Sequence, residues 1–157
     1  KLQMVFDQGL YDPANEPDIA YPYLFSYFQG EEWRTQLEVR RLLDRYFTTA
    51  PDGIPGNDDT GTMSAWAVFS MMGLYPDCPG EPYYTLTSPV FDKVTVTLDP
   101  KYYPAGELVI ETERSGAGDV YIGSMTLGGR PLKKYRISHG ELVGGGRLVF
   151  GLQPERK

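Results

Sequence analysis

The stretch Tyr75-Pro-Asp-Cys-Pro-Gly-Glu-Pro82 separates two parts of the chain that differ in hydrophobic pattern. Its three prolines and one glycine prevent a helix from continuing through it. From about Asp18 to Gly73 the apolar residues recur with helical spacing, whereas beyond about Tyr83 they alternate with polar residues as in strands. The pattern therefore predicts an α+β fold, with helices in residues 1–76 and an antiparallel sheet or small β-sandwich in 77–157.

Three helices are predicted in the first part, over about 18–28, 32–47 and 62–72, with the carboxylate of Asp18 capping the first and Gly73 ending the third. The second helix would bury one apolar face, made of Trp33, Leu37, Val39, Leu42, Leu43, Tyr46 and Phe47. Alternating residues between glycine-rich turns predict strands over 93–99, 107–113, 119–127, 132–138 and 147–152.

Composition narrows the classes of partner. The 157 residues include 41% apolar and 13% aromatic side chains, enough for a packed core. A net charge of −6 disfavours nucleic acid and anionic membrane surfaces, and no apolar stretch is long enough to insert into a membrane. A single histidine, His139, and a single cysteine, Cys78, exclude a zinc cage and an internal disulfide, and both are predicted to be structural. A metal site would therefore use oxygen ligands, which favours calcium or magnesium.

One loop carries the strongest chemical signal. In the run from Gly53 to Trp66, glycines and a proline restrain the backbone while Asn57, Asp58 and Asp59 stand just before the third predicted helix. The helix dipole stabilises negative charge at that position, and a carboxylate on a rigid loop suits general-base catalysis or metal binding. On the residues alone, a helix cap with a solvated neighbour explains the same pattern.

The run Gly56-Asn-Asp-Asp-Thr-Gly-Thr-Met-Ser-Ala-Trp66, continued by Phe69-Ser-Met-Met-Gly-Leu-Tyr-Pro76, resembles the signature of the family 92 glycoside hydrolases, which are bacterial exo-acting α-mannosidases. The segments Asn15-Glu-Pro-Asp-Ile-Ala-Tyr-Pro-Tyr-Leu-Phe25 and Trp33-Arg-Thr-Gln36 agree with the family in the same order. The resemblance implies that the helices come from the end of an (α/α)₆ toroid barrel. It also implies an inverting reaction, a mannose-containing glycan as substrate, and Ca²⁺ as cofactor.

The resemblance also implies roles for individual residues. Asp59 occupies the position of the family's catalytic base, with Asp58 and Asn57 assisting, although either carboxylate remains open as the base. Asn15 is a candidate metal ligand, and Glu16 a candidate for binding the sugar. Trp33 and Gln36 are candidate substrate contacts. Aromatic residues at helical spacing more often belong to the core, which is the alternative for Trp33, and an idle polar position explains Gln36 equally.

The chain begins at Lys1 without an initiator methionine, which predicts that it is part of a longer polypeptide. In the family the general acid is a glutamate upstream of the matched segments, so the isolated chain is expected to be inactive and to expose apolar helix faces or dimerise. Secretion to the periplasm or the cell surface is what the family implies. The alternatives are a non-catalytic carbohydrate-binding or structural β-module, and another (α/α)₆ enzyme such as a glycoside phosphorylase.

Overall fold

The computed structural model describes residues 1–156. Two short 3₁₀ segments, Glu16–Asp18 and Tyr21–Tyr27, lie between the first two helices. The helices are α1 (Leu2–Asp7), α2 (Glu32–Tyr46), α3 (Thr62–Met72) and α4 (His139–Val143). The strands are β1 (Leu74–Tyr75), β2 (Tyr83–Leu86), β3 (Lys93–Thr97), β4 (Glu107–Glu113), β5 (Tyr121–Leu127), β6 (Arg130–Pro131), β7 (Arg136–Ser138) and β8 (Arg147–Gln153).

The strands form two sheets. A three-stranded antiparallel sheet has the order β1-β2-β7, and a five-stranded sheet has the order β3-β4-β8-β5-β6. In the larger sheet β8 pairs antiparallel with β5 but parallel with β4, with Ile110 opposite Leu148. The α+β class is confirmed, whereas the expectation of a purely antiparallel second part is wrong at this one pairing.

The transition from helix to strand occurs at Gly73. This residue ends α3 with φ +85°, and a Cβ placed on it would lie 2.5 Å from Cγ of Pro89. Only glycine therefore fits both the left-handed backbone and the close approach. β1 follows immediately and pairs with β2. The three-stranded sheet therefore contains residues from both predicted parts, 1–76 and 77–157.

The predicted helix over 18–28 is wrong, because the structure has two 3₁₀ segments there instead. Asp18 is the last residue of the first segment and caps nothing with its side chain. Pro17 and Pro22 each lie at the start of a segment, and each lacks the amide hydrogen that a continuous α-helix needs. Tyr23 and Phe25 of this stretch are buried, whereas Leu24, Tyr27 and Phe28 are exposed.

The predicted strand over 132–138 is confirmed only in its last three residues, β7, because the chain crosses between the sheets in this interval. β6 adds to the five-stranded sheet and the amide of Leu132 donates to the carbonyl of Met125 at 2.9 Å, whereas β7 pairs with β2. β1 and β2, which belong to the three-stranded sheet, were not predicted. Both are short and lie beside the prolines that mark the change of pattern.

Two apolar cores hold the chain together. One lies against the sheets and is centred on Phe150, Leu148 and Ile110, with Val94 and Val96 of β3 packed on it as their alternation predicts. The other joins the 3₁₀ segments to α2 and α3 around Trp66 and Tyr23. Within residues 1–156 no helix is long and apolar enough to cross a bilayer.

The buried face of α2 differs from the predicted one. Val39, Leu42 and Leu43 are buried as expected, but Trp33, Leu37, Tyr46 and Phe47 remain partly exposed. Thr35, Gln36 and Glu38 are buried instead. The difference arises because α2 packs against the second 3₁₀ segment and, near its start, against β5, so the covered surface is wider than one apolar stripe.

Candidate functional site

The acidic loop between α2 and α3 is held at its base by a buried glycine. The amide of Thr48 donates to the carbonyl of Gly53 at 2.9 Å, and the amide of Gly53 donates to the carbonyl of Ala50 at 2.9 Å. A Cβ placed on Gly53 would overlap the carbonyl oxygen of Thr48. The loop is therefore tightly turned where it leaves α2. Asn57, Asp58 and Asp59 follow this restrained turn in the chain.

Asp58 braces the start of α3. Its Oδ1 accepts hydrogen bonds from the backbone amide and from the hydroxyl of Ser64, both at 2.8 Å. Its carbonyl accepts from the amides of Gly61 and Met63. These bonds satisfy amides of the first helical turn that have no helical partner, so the Asp58 carboxylate is committed to the helix end.

The carboxylate of Asp59 is exposed and has no hydrogen bond or ion pair with any residue of 1–156. The backbone beside it is fixed, because the amide of Asp59 donates to Oδ1 of Asn57 at 3.3 Å and its carbonyl accepts from the hydroxyl of Thr62 at 2.8 Å. A rigid backbone thus presents an unpaired carboxylate to solvent. Such a carboxylate is accessible to water and to ligands.

The same loop carries backbone strain. Asp59, Thr60 and Gly61 have φ of +46°, +62° and +95°, three consecutive residues in the left-handed region. Left-handed backbone is costly for a β-branched residue such as Thr60 but is tolerated by asparagine. Strain of this kind persists only where the surrounding structure enforces it, and such sites are often functional.

We expect Thr60→Asn to raise the free energy of unfolding by about 1 kcal/mol, because asparagine adopts the left-handed conformation more readily than threonine. Urea denaturation followed by circular dichroism measures the change. Thr49→Asn is the matched control, since Thr49 is exposed and its backbone is not left-handed. Equal effects of the two substitutions would contradict the assignment of strain to residue 60.

The segment carrying Asn15 and Glu16 lies next to the acidic loop. Asn15 precedes the first 3₁₀ segment, and its carbonyl accepts from the amide of Asp18 at 2.9 Å. Both side chains are exposed, and a Cβ placed on Gly56 would lie 2.6 Å from Cβ of Ala14. The structure therefore brings the segment of Asn15 and Glu16 together with the loop of Asn57, Asp58 and Asp59.

Glu16 opens onto a cavity of about 330 Å³ whose far wall the sequence did not indicate. That wall contains Tyr75 and Asp77, and Oδ1 of Asp77 accepts from the hydroxyl of Thr85 at 2.7 Å. Burial raises the pKa of Tyr75, and the negative charges of Asp77 and Glu16 raise it further. In the sequence Tyr75 and Asp77 lie among prolines, in a stretch that indicated only the end of the helical pattern.

Trp33 and Gln36 lie together at a different place, where the start of α2 meets β5. The ring of Trp33 packs near Tyr121, and the guanidinium groups of Arg34 and Arg156 lie 4.4 and 4.3 Å from its centroid. Gln36 is only 2% exposed, and its Oε1 accepts from the amide of Ile122 at 2.8 Å. The acidic loop follows the other end of this helix, about 15 Å from Gln36 along the axis. The structure does not bring these two residues to the loop.

We expect Gln36→Ala to lower the free energy of unfolding by about 1–3 kcal/mol, because the buried amide of Ile122 would lose its acceptor. That amide lies beside a register irregularity between β5 and β8, where the ladder does not supply a replacement. Chemical denaturation measures the loss. The control Gln29→Ala, at an exposed position, should have little effect, and an equally small effect at residue 36 would contradict the structural role.

His139 lies at the start of α4, where its Nδ1 is 3.1 Å from the hydroxyl of Tyr84, far from any of the loop carboxylates in sequence. Cys78 is a partly buried free thiol. Calcium usually takes six to eight oxygen ligands. In the part of the chain that the structure describes, no three acidic, histidine or cysteine side chains are grouped to hold a metal ion. The exposed oxygens of Asn15 and Glu16 therefore do not make a calcium site by themselves.

Comparison with known proteins adds family information. Residues 1–154 match the glycosyl hydrolase family 92 catalytic domain. An uncharacterized secreted glycosidase of Arthroderma benhamiae is 29% identical over 155 residues, which are 99% of this chain and 20% of that protein.

Two solved structures are similar. A family GH92 α-mannosidase from Bacteroides thetaiotaomicron, in complex with mannoimidazole, has a TM-score of 0.86 and 28% identity over 94% of this chain and 19% of its own. A family GH92 inverting mannosidase from the same organism has a TM-score of 0.83 and 34% identity over 98% of this chain and 20% of its own. The chain thus spans about a fifth of the length of these relatives. From its match over nearly all residues, the chain belongs to glycosyl hydrolase family 92.

Proposed function

We propose that the chain is the base-carrying part of an inverting exo-α-mannosidase, and that Asp59 is the general base. The observation that carries the proposal is the Asp59 carboxylate, which is exposed and unpaired on a rigid loop, whereas the neighbouring Asp58 is committed to the end of α3. The family and its mannosidase relatives support the reaction class. Asp58 acts as a positioning residue that holds the loop against the helix.

In the proposed reaction Asp59 accepts a proton from water while the water oxygen attacks the anomeric carbon of the terminal mannose. The bond from that carbon to the leaving oxygen breaks, and a carboxylic acid on the opposite face of the sugar protonates the leaving oxygen. That acid comes from the remainder of a longer polypeptide. Exposed apolar side chains such as Leu10, Phe28 and Val68 support such a remainder, because they offer unpartnered surface to it.

The proposal is tested by comparing the purified 157-residue chain with the longer polypeptide on an α-linked mannobiose. We expect no mannose release from the chain alone and release from the longer polypeptide, with β-mannose appearing first in the proton NMR spectrum because the reaction inverts the anomeric centre. Release by the chain alone, or α-mannose as the first product, would contradict the proposal. A requirement for phosphate would instead favour a glycoside phosphorylase.

We propose Ca²⁺ as the cofactor of the complete enzyme, with Asn15 as one ligand and the other ligands outside this chain. When bound, the ion would supply a positive charge that holds the sugar hydroxyls. We expect a chelator to abolish activity of the longer polypeptide, whereas calcium should leave the unfolding temperature of the 157-residue chain unchanged, since a weakly bound ion adds little stability. A clear rise in that temperature would mean that the chain holds the ion alone.

The competing function is that of a carbohydrate-binding module. The strands and tyrosines of the second half are compatible with it. Titration calorimetry of the chain with mannose and mannobiose separates the two, because tight binding without the remaining polypeptide would favour the module. We propose a secreted or periplasmic location, which is compatible with the secreted glycosidase that the chain resembles.

A further inference from the structure

The two segments proposed to act on the sugar approach each other closely at Gly56 and Ala14. Gly56 has φ +66°, and a Cβ placed on it would lie 2.6 Å from Cβ and 3.3 Å from Cα of Ala14. Asn15 follows Ala14 directly, and Asp59 stands three residues after Gly56. The distance between the backbones at this contact therefore controls how far the proposed base lies from the segment of Asn15 and Glu16.

Neither side of the contact can yield easily. The amide of Ala14 donates to Oδ1 of Asp12 at 2.9 Å, and the amide of Asn15 donates to the carbonyl of Asp12 at 3.1 Å. This turn is anchored by the buried ring of Tyr11, which stacks on Phe6 with centroids 5.1 Å apart. On the other side, the acidic loop is held at Gly53. A side chain at residue 56 would therefore push two restrained segments apart.

We propose that Gly56 is a positioning residue whose contact with Ala14 sets the separation between Asp59 and the segment of Asn15 and Glu16. The inference rests on the proposed function. Its physical basis is that hydrolysis needs the base and the bound sugar in one geometry, and a displacement of about 1 Å can lower a rate on the order of 100-fold. Residue 56 therefore lacks a side chain for two reasons: its backbone is left-handed, and the segment of Ala14 approaches it closely.

The test introduces Gly56→Ala into the longer polypeptide, with kcat expressed per folded molecule from circular dichroism. We expect a fall of kcat by about 10- to 100-fold. Gly9→Ala is the matched control, because Gly9 has φ +65° and no atom within 4 Å of an added Cβ. It imposes the same backbone strain without the contact, so it should lower stability less than Gly56→Ala and leave kcat per folded molecule nearly unchanged.

The double variant Ala14→Gly with Gly56→Ala should recover most of the lost kcat, since the 2.6 Å contact is removed while the left-handed strain remains. Equal kcat values for Gly56→Ala and Gly9→Ala, or a double variant as impaired as Gly56→Ala, would overturn the inference. These outcomes are informative when the unsubstituted enzyme is active and Asp59→Asn is not. An inactive parent, or an active Asp59→Asn variant, would instead overturn the proposed function and the inference with it.

Discussion

In the longer polypeptide, Asp59→Asn should lower kcat for α-mannoside hydrolysis by about 10²–10⁴-fold while the fold stays intact. The amide keeps the shape of the side chain but no longer accepts a proton from water, which is the contribution expected of a general base. Asparagine also tolerates the left-handed backbone that residue 59 adopts. Loss of activity would therefore not come from unfolding, and steady-state kinetics together with a thermal melt measure both quantities.

Asp58→Ala is the informative comparison, because its effect should be of the opposite kind. Removing this side chain deprives the amide and hydroxyl of Ser64 of their shared acceptor, and loss of such a cap costs about 0.5–2 kcal/mol of stability. Residual activity should exceed that of Asp59→Asn when corrected for the folded fraction. If the activity loss is larger at residue 58 than at residue 59, the base has been assigned to the wrong carboxylate.

Trp66→Ala should lower the free energy of unfolding by about 3–5 kcal/mol, the largest stability effect that we expect. The ring is 2% exposed and stacks on Phe47 with centroids 5.3 Å apart. Its Nε1 donates to the carbonyl of Ile19 at 3.0 Å, so the substitution leaves both a cavity and a partly buried carbonyl without its donor. Chemical denaturation measures the change.

Trp33→Ala is the control, since Trp33 is partly exposed and its ring contacts the guanidinium groups of Arg34 and Arg156. Its expected cost is clearly smaller, because less apolar surface leaves the core. Similar losses at both positions would contradict the view that Trp66 links α3 to the segment following Asn15. If Trp33→Ala selectively lowered the mannose affinity of the longer polypeptide, Trp33 would be a substrate-binding residue.

Local patterns predicted the elements that depend on local physics. Helices α2 and α3 begin and end within one or two residues of the expected positions, because helical spacing and Gly73 define them. The strands β3 and β8 follow their alternation, whereas β4 lies at its predicted position although three consecutive residues, Leu108, Val109 and Ile110, are buried. Around Pro17 and Pro22 the structure has 3₁₀ segments instead of the expected helix. The strand expected over 132–138 is interrupted where the chain passes from one sheet to the other. Pairing between distant strands, such as β4 with β8, leaves no mark in a local pattern.

The candidate site divides in the same way. The acidic loop was evident from its glycines and carboxylates. The resemblance favoured Asp59 as the base without excluding Asp58, since only the fold shows which carboxylate bonds to Ser64. Gln36 was polar and ambiguous because its partner, Ile122, lies 86 residues away. The contact between Gly56 and Ala14 could likewise not be predicted, because the residues are far apart in the sequence and no local pattern indicates that they meet.

The place of β8 has a consequence for biosynthesis. This strand is the latest in the chain, yet it lies between β4 and β5, which are made before it. The nascent polypeptide must therefore hold two strands with unpaired inner edges until residues 147–153 have left the ribosome. Open edges of this kind are templates for aggregation. A premature stop codon ahead of residue 147 would thus release a product prone to inclusion bodies rather than a shorter soluble form.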